Sequence, residues 1–414
     1  MAMRINVRDL MSPGLDAQSA FKAAFDLCRG LPVVVPGVVA FQSSGVVYVP
    51  AGVYELTDNL EIPYHVRLEG EGPTSILAFA NGGLRLPRQP DSNFYSSNVI
   101  RDLSVINTNP ANEHAGFDML GGAGVQIERV WSAGWNPHYI IDQGELVSFD
   151  QCSIGGLDFG PVDVPTNAIG ILFKDPPREP ATTPGVTNSN WVSRCHFSIA
   201  GNPIVFEGGE QLIVDRCNFF DCGPLVMGGN RASILYCFIE SRRGTERIRV
   251  DAPEATGAIS LEITGCSFAS PTAAIRFNTT AVLGFTFNGN LCRTTHLRNE
   301  DKEVIEERHV IENLPLQLVG PLIILGNIND GDAPMFAAEC SEVALYASSV
   351  YAGGVGQRDR VGIGTVQPQA VLDIRGGAEN PTATPWYGLQ VRAGEVPIRQ
   401  LRMVPPPNPP GPEW

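Results

Sequence analysis

One pattern recurs along the middle of this chain and leaves few folds open. It runs apolar, any, apolar, then two bend residues, then apolar, any, apolar. It is read at Val125-Gln126-Ile127, Glu128-Arg129, Val130-Trp131-Ser132, and again at Val147-Ser148-Phe149, Asp150-Gln151, Cys152-Ser153-Ile154. Leu212-Ile213-Val214, Asp215-Arg216, Cys217-Asn218-Phe219 and Leu261-Glu262-Ile263, Thr264-Gly265, Cys266-Ser267-Phe268 are further copies, and looser ones place Leu103, Cys195, Cys237 and Asn290 just after the bend. Successive copies are 27, 22, 43, 22, 20, 29 and 24 residues apart, counted between the residues after each bend. The gap of 43 is expected to hold two coils, the unmarked one passing through Ile169–Phe173.

Alternation on both sides of a bend means short strands with one buried face. A unit of this length cannot bury that face alone and must stack on its neighbours. No helical stretch separates the strands, which removes α/β crossover folds. The Leu and Asn framework of a leucine-rich repeat is missing, and a propeller blade needs about 40 residues and four strands. The expected fold is all-β: a right-handed, single-stranded parallel β-helix with three short strands per coil. Cys152, Cys195, Cys217, Cys237 and Cys266 share one inward position of successive copies. There they act as small apolar core residues, and no Cys or His spacing suggests a metal or redox ladder.

Composition narrows function as well. The 44 glycines and 33 prolines suit many strands joined by tight turns. A net charge of −15 argues against nucleic acid, which needs Lys and Arg to displace counterions. It argues equally against an anionic membrane surface. No apolar run is long enough to span a bilayer, and Met1-Ala2-Met3-Arg4-Ile5-Asn6 is no secretory signal. The protein is expected in the cytoplasm of a producing cell before assembly into a particle, or outside the cell if a leader has been removed.

Upstream of the repeat, Ala17, Ala20, Phe21, Ala24, Phe25 and Cys28 fall on one face of a helix with Asp16 as its N-cap. Such a helix covers an open first coil. Then follow Gly45-Val46-Val47-Tyr48-Val49-Pro50-Ala51-Gly52-Val53-Tyr54, Leu60-Glu61-Ile62-Pro63 and Val66-Arg67-Leu68-Glu69-Gly70-Glu71-Gly72. These stretches resemble the opening of the pectate-lyase-like superfamily of right-handed β-helices. The resemblance spans roughly residues 12 to 78, and the repeat extends it to about 330. It implies a helix-capped β-helix of the kind found in phage tailspikes, but not pectate lysis, since lyases, hydrolases, epimerases and non-enzymatic spikes share it.

After Asp330 the rhythm fades. Val361–Arg375, VGIGTVQPQAVLDIR, resembles an element of phage tail fibres and tailspikes that lies in an intertwined trimeric shaft. The resemblance implies a homotrimer. The closing Val404-Pro405-Pro406-Pro407-Asn408-Pro409-Pro410 is expected to be extended. The expected organisation is an N-terminal region with the capping helix (1–36), the β-helix (37–330), and a C-terminal, β-rich oligomerisation region with a Pro-rich tail (331–414).

Glycan cleavage needs a carboxylic acid to protonate the leaving oxygen and a second group to activate water or attack. Glu207, Asp221 and Glu240 leave strands at turns; stacked on one face they would form a carboxylate patch, with Arg242 and Arg243 as an anion clamp. Trp131, Trp135 and Trp191 are candidate platforms for sugar rings. The bend charges Asp102, Glu128, Asp150 and Asp215 with Arg101, Arg129, Arg194 and Arg216 read as a compensated, solvated edge. His114, His138 and His196 have no ligand spacing, and neither a metal nor another cofactor is expected. Three functions stay open: a tailspike-like or injection-particle receptor-binding protein for a bacterial surface polysaccharide, with or without depolymerase activity; a polysaccharide lyase or glycoside hydrolase acting on an acidic polysaccharide; and a non-enzymatic structural component of a particle.

Overall fold

A computed structural model describes residues 3–11, 15–29, 45–87, 97–155, 167–174, 187–240, 246–251, 259–279, 281–315, 322–324 and 326–335, and the backbone alone of 317–318, 325, 350–353, 361–363, 372–374 and 401–403. The chain divides into two compact units, Met1–Arg249 and Val250–Trp414.

The first unit opens on the expected cap. Helix α1 (Val7–Leu10) starts at Asn6, whose side chain accepts the Arg8 N–H. Helix α2 (Ala17–Arg29) starts at Asp16, which accepts the Ser19 N–H at 2.7 Å. Ala17, Ala20, Phe21, Ala24, Phe25 and Cys28 are all buried. Phe21 meets the Tyr54 ring edge-on, and a Cβ on Gly45 would stand 2.8 Å from Cys28 Sγ, so helix and first coil are in close contact.

Beyond the cap the chain winds into a parallel β-helix. Each coil has a first strand, the two-residue bend, a second strand, and after a turn a third strand. Gln126–Ala133 runs through the bend as one strand and pairs in parallel with Val99–Asn107 before it, and with Ser148–Asp150 and Ser153–Gly155 after it. The third strands form their own ladder, in which Phe117–Ala123, Tyr139–Glu145, Ile171–Lys174 and Ile204–Phe206 follow one another. Inward side chains fill the lumen. Phe197 stacks on Phe219 at 4.9 Å, and Phe149, Phe173 and Phe206 meet edge to face.

The gap of 43 residues is one coil, not two. Ser148 pairs directly with Trp191 and Ser153 with His196, while Ile171–Lys174 is simply the third strand of that coil. Long connections on either side of this strand account for the extra length, and that length happens to equal two ordinary coils.

The bend has a fixed conformation. Its second residue is left-handed in coil after coil: Asp102, Arg129, Gln151, Arg194, Arg216 and Tyr236 have φ between 49° and 56°. Just after it, Cys152, Cys195, Cys217 and Cys237 point into the lumen. The Cys217 thiol reaches the carbonyls of Val192 and Asp215, and burial drives the Cys152, Cys195 and Cys217 thiols well above their usual pKa. They are inert core groups.

In the second unit Ile259–Thr264, Ala281–Asn288 and Leu322–Asn329 stack in parallel. The bend residue here is glycine: Gly265, Gly289 and Gly326. The inward position after it holds Cys266, Asn290 and Asn327. Asn290 donates to the Ile263 carbonyl and Asn327 to that of Phe287, forming a buried amide ladder. Farther on, Val361–Ile363 pairs in parallel with Leu372–Ile374, which pairs in parallel with Leu401–Met403. The two described strands of the tail-fibre-like segment are therefore parallel to each other, and Val361–Ile363 also pairs antiparallel with Val350–Gly353; residues 364–371 lie outside the described residues.

Candidate functional site

The outer faces of the coils decide what can be recognised. The bend edge is a compensated ridge, as expected: Arg129 grips Asp102 with two hydrogen bonds of 2.6 and 2.8 Å, Arg194 grips Asp150, and Arg101 meets Glu69 at 2.9 Å. Carboxylates already bound twice by guanidinium groups are poor acids or bases.

Glu207, Asp221 and Glu240 do not come together as one patch. Glu207 follows a third strand (Ile204–Phe206), whereas Asp221 and Glu240 follow second strands (Asn218–Phe219 and Phe238–Ile239). Glu207 thus occupies a different corner of the coil. Asp221 and Glu240 share a corner on adjacent coils, with the Glu240 N–H bonded to the Phe219 carbonyl. Arg242 and Arg243 lie outside the described residues.

The tryptophans separate too. Trp135 is fully buried and its indole N–H donates to the Val105 carbonyl at 3.1 Å, so it is a core residue and not a sugar platform. After the second strand the chain turns inward there, and Trp135 packs against Phe79. Trp131 lies on an outward second-strand position and Trp191, 37% exposed, on an outward first-strand position.

The face that gathers chemistry is the outer side of the third-strand ladder. Arg85 pairs in register with Asp118, Asp118 with Ile140, and Asp142 with Lys174. Asp118 and Asp142 are therefore diagonal neighbours on adjacent strands, with Cα atoms roughly 7–8 Å apart. Arg85 stands 4.0 Å from Asp118 on one side, and Lys174 follows Asp142 on the other. His114 lies nearby. Burial pushes the Asp118 carboxyl above the ordinary carboxylate range; Arg85 opposes the rise, and neighbouring Asp142 adds to it. Two neighbouring carboxyl groups, one with a raised affinity for its proton, supply the two kinds of group that acid-assisted glycoside cleavage requires.

Neither aspartate stood out in the sequence. Third strands carry no bend signature, and FDMLGG and YIIDQG share no motif; only the register aligns them. A Ser–His contact, Ser132 Oγ to His138 Nδ1 at 2.8 Å, also went unseen, but both residues are buried in the lumen. Burial lowers the His138 pKa to about 3. No glycan reaches that pair. Among the described residues no three His, Cys, Asp or Glu side chains converge as a metal site, and no helix is long and apolar enough to cross a membrane.

Stacked parallel coils behind a helical cap define the class: right-handed parallel β-helix proteins. Among solved structures, the tailspike protein of the Acinetobacter baumannii bacteriophage Fri1, a capsular polysaccharide depolymerase, superposes with a TM-score of 0.51 at 13% identity, covering 95% of this chain and 63% of that one. An open-reading-frame product of Geobacillus virus E2 gives 0.48 at 12% identity, covering 84% of this chain and 61% of the other. The A-module of the Azotobacter vinelandii mannuronan C-5 epimerase AlgE6 gives 0.44 at 15%, covering 84% and 88%. The chain thus spans less than two thirds of both viral structures. No protein-family model matches the sequence. No curated protein matches it either. At these identities the likeness establishes the fold alone.

Proposed function

We propose that this protein is a tailspike-like or injection-particle receptor-binding protein that binds a bacterial cell-surface polysaccharide along the third-strand face and hydrolyses it there. The observation that carries this function is the diagonal Asp118–Asp142 pair on one outer face, with Arg85 in register with Asp118 and Lys174 with Asp142. Asp118, partly withdrawn from water, keeps its proton to higher pH than an ordinary carboxyl and donates it to the glycosidic oxygen. Asp142, diagonal to it on the adjacent strand, supplies the second carboxyl group, which activates water or attacks the anomeric carbon. Arg85 and Lys174 suit a glycan that bears carboxylate or other anionic substituents.

Two features, one of another protein and one of this chain, support the particle setting. The Fri1 tailspike shares the fold and is a capsular polysaccharide depolymerase. The segment Val361–Arg375 resembles the tail-fibre element, and we assign it to homotrimer formation. Asp221 and Glu240, at one corner on adjacent coils, are proposed as secondary glycan contacts.

The test is a reducing-end assay on capsular and O-antigen glycans that include the natural host's. Asp118→Asn and Asp142→Asn are each expected to lower turnover by about 10²–10⁴-fold while binding is retained. Unsaturated uronate products would show a lyase instead. Neither binding nor cleavage across the panel would leave a structural particle component.

A further inference from the structure

Between Leu291–Cys292 and Ile311–Glu312 the second unit extends an antiparallel pair, Leu297–Arg298 with Val304–Glu306, which forms a two-stranded sheet of its own. Every residue of both strands is exposed, including Leu297 at 39%, Val304 at 41% and Ile305 at 61%. An isolated two-stranded hairpin is marginal in water. This one is held by polar bonds instead. Asn299 binds both the Glu303 N–H and the Glu303 carboxylate, and Arg298 clamps Asp332 at 2.6 Å and the Lys302 carbonyl at 2.8 Å. The result is a preformed aliphatic surface with an acidic rim: Glu300, Asp301, Glu303, Glu306 and Glu307 outnumber Lys302 and Arg308, the latter bonded to Glu306 at 3.0 Å. Preforming a loop removes ordering cost from any association it makes.

The first unit carries a surface of complementary character. Arg216 and Tyr236 are bend residues of adjacent coils, joined by the Arg216 N–H to the Leu235 carbonyl, and Phe238 pairs with Asn218 beside them. Tyr236 is 58% and Phe238 39% exposed, and the Arg216 side chain is 65% exposed, meeting Asp215 at 3.9 Å. Exposed aromatic and guanidinium groups in one patch have the composition of an interface core.

We propose that the hairpin of one copy docks on the Arg216–Tyr236–Phe238 patch of a second copy, its aliphatic residues covering the two rings and Glu303 and Glu306 facing Arg216. The two surfaces differ, so the contact is head-to-tail and closes a ring when the rotation allows. This rests on the self-association in the function proposed above, and it names the surfaces.

The test uses the full chain at micromolar concentration, sized by light scattering. Ile305→Asp and Arg216→Glu are each expected to weaken self-association by at least about tenfold with an unchanged β-sheet spectrum. The double variant Glu303→Arg/Glu306→Arg should do the same. Combining it with Arg216→Glu in one chain should restore association, because every contact then again places an acid against an arginine. With Cys340, the ninth cysteine, which lies outside the described residues, replaced by serine, Ile305→Cys in one copy and Phe238→Cys in another should give a disulfide-linked dimer on mixing. Oligomers that survive every variant, with no cross-link, would overturn the docking surface and leave self-association standing. A monomeric wild type would overturn both.

Discussion

Asp118 is held between opposing influences, and the balance links chemistry to stability. Burial raises its pKa, Arg85 works against the rise, and Asp142 reinforces it. The folded state therefore binds this proton more tightly than the unfolded chain does. Stability is lost as pH rises from the ordinary carboxyl pKa through the folded value, and the loss persists at neutral pH. Asp118→Asn removes it. The variant is expected to melt at a higher temperature than wild type at pH 7, with the gain fading below about pH 4, while turnover falls. An unchanged melting temperature together with unchanged turnover would remove Asp118 from the site. His138 has the opposite pH signature. It is neutral when folded, with a pKa near 3, and charges readily when unfolded. The contribution of this group is complete above about pH 6.5 and drops toward pH 3, by up to about 1.4 kcal/mol per pH unit. Urea midpoints measured from pH 7 to pH 4 should show the slope, and His138→Asn should flatten it although it is less stable at neutral pH.

At the scale of the element, the bend is the unit that repeats, and its left-handed residue is its costliest feature. Non-glycine residues fill it in the first unit and glycines in the second. Gly289 has open space where a Cβ would stand, so Gly289→Ala adds no clash and isolates the backbone term. The expected cost is about 1–2 kcal/mol, read from chemical denaturation. The thiol column that follows the bend makes its own prediction. All eight described cysteines are buried thiols outside any disulfide, so they should not react with a thiol reagent until the coils unfold. The bend was legible in the sequence because alternating strands flank it in copy after copy, and the column because it repeats cysteine at one inward position. The long coil was not legible, because 43 residues of chain look alike whether they turn once or twice. The Asp118–Asp142 pair was hidden for a different reason. Its two members belong to strands that share no local pattern and meet only through register. Trp135 misled because an aromatic residue just past a strand end reads as surface until the direction of the turn is known.

At the scale of the molecule, a stack of coils is stable only where each coil has a neighbour, so its ends carry the greatest liability. In the first unit that liability is met by α1 and α2. Phe21 is fully buried against Phe25 and the Tyr54 ring, Gln18 donates to the Asn59 carbonyl, and Arg8 bonds the Ala51 carbonyl. The helix therefore seals the lumen with aromatic packing and ties down its rim with hydrogen bonds. Removing the Phe21 ring leaves a cavity at the mouth of the stack, with an expected cost of about 3–5 kcal/mol. Leu27, on the same helix but 47% exposed, serves as the internal control; Leu27→Ala should stay within about 0.5 kcal/mol of wild type. A lesion in a sealed core and one at an open end differ in a second observable. If α2 acts as a cap, Phe21→Ala frees strand edges of the first coil to pair with other chains, and light scattering should rise before the sheet signal is lost. In Phe219→Ala, whose lesion lies between coils, the two should change together. Equal scattering onset in both variants would mean that the helix packs on the first coil without protecting it.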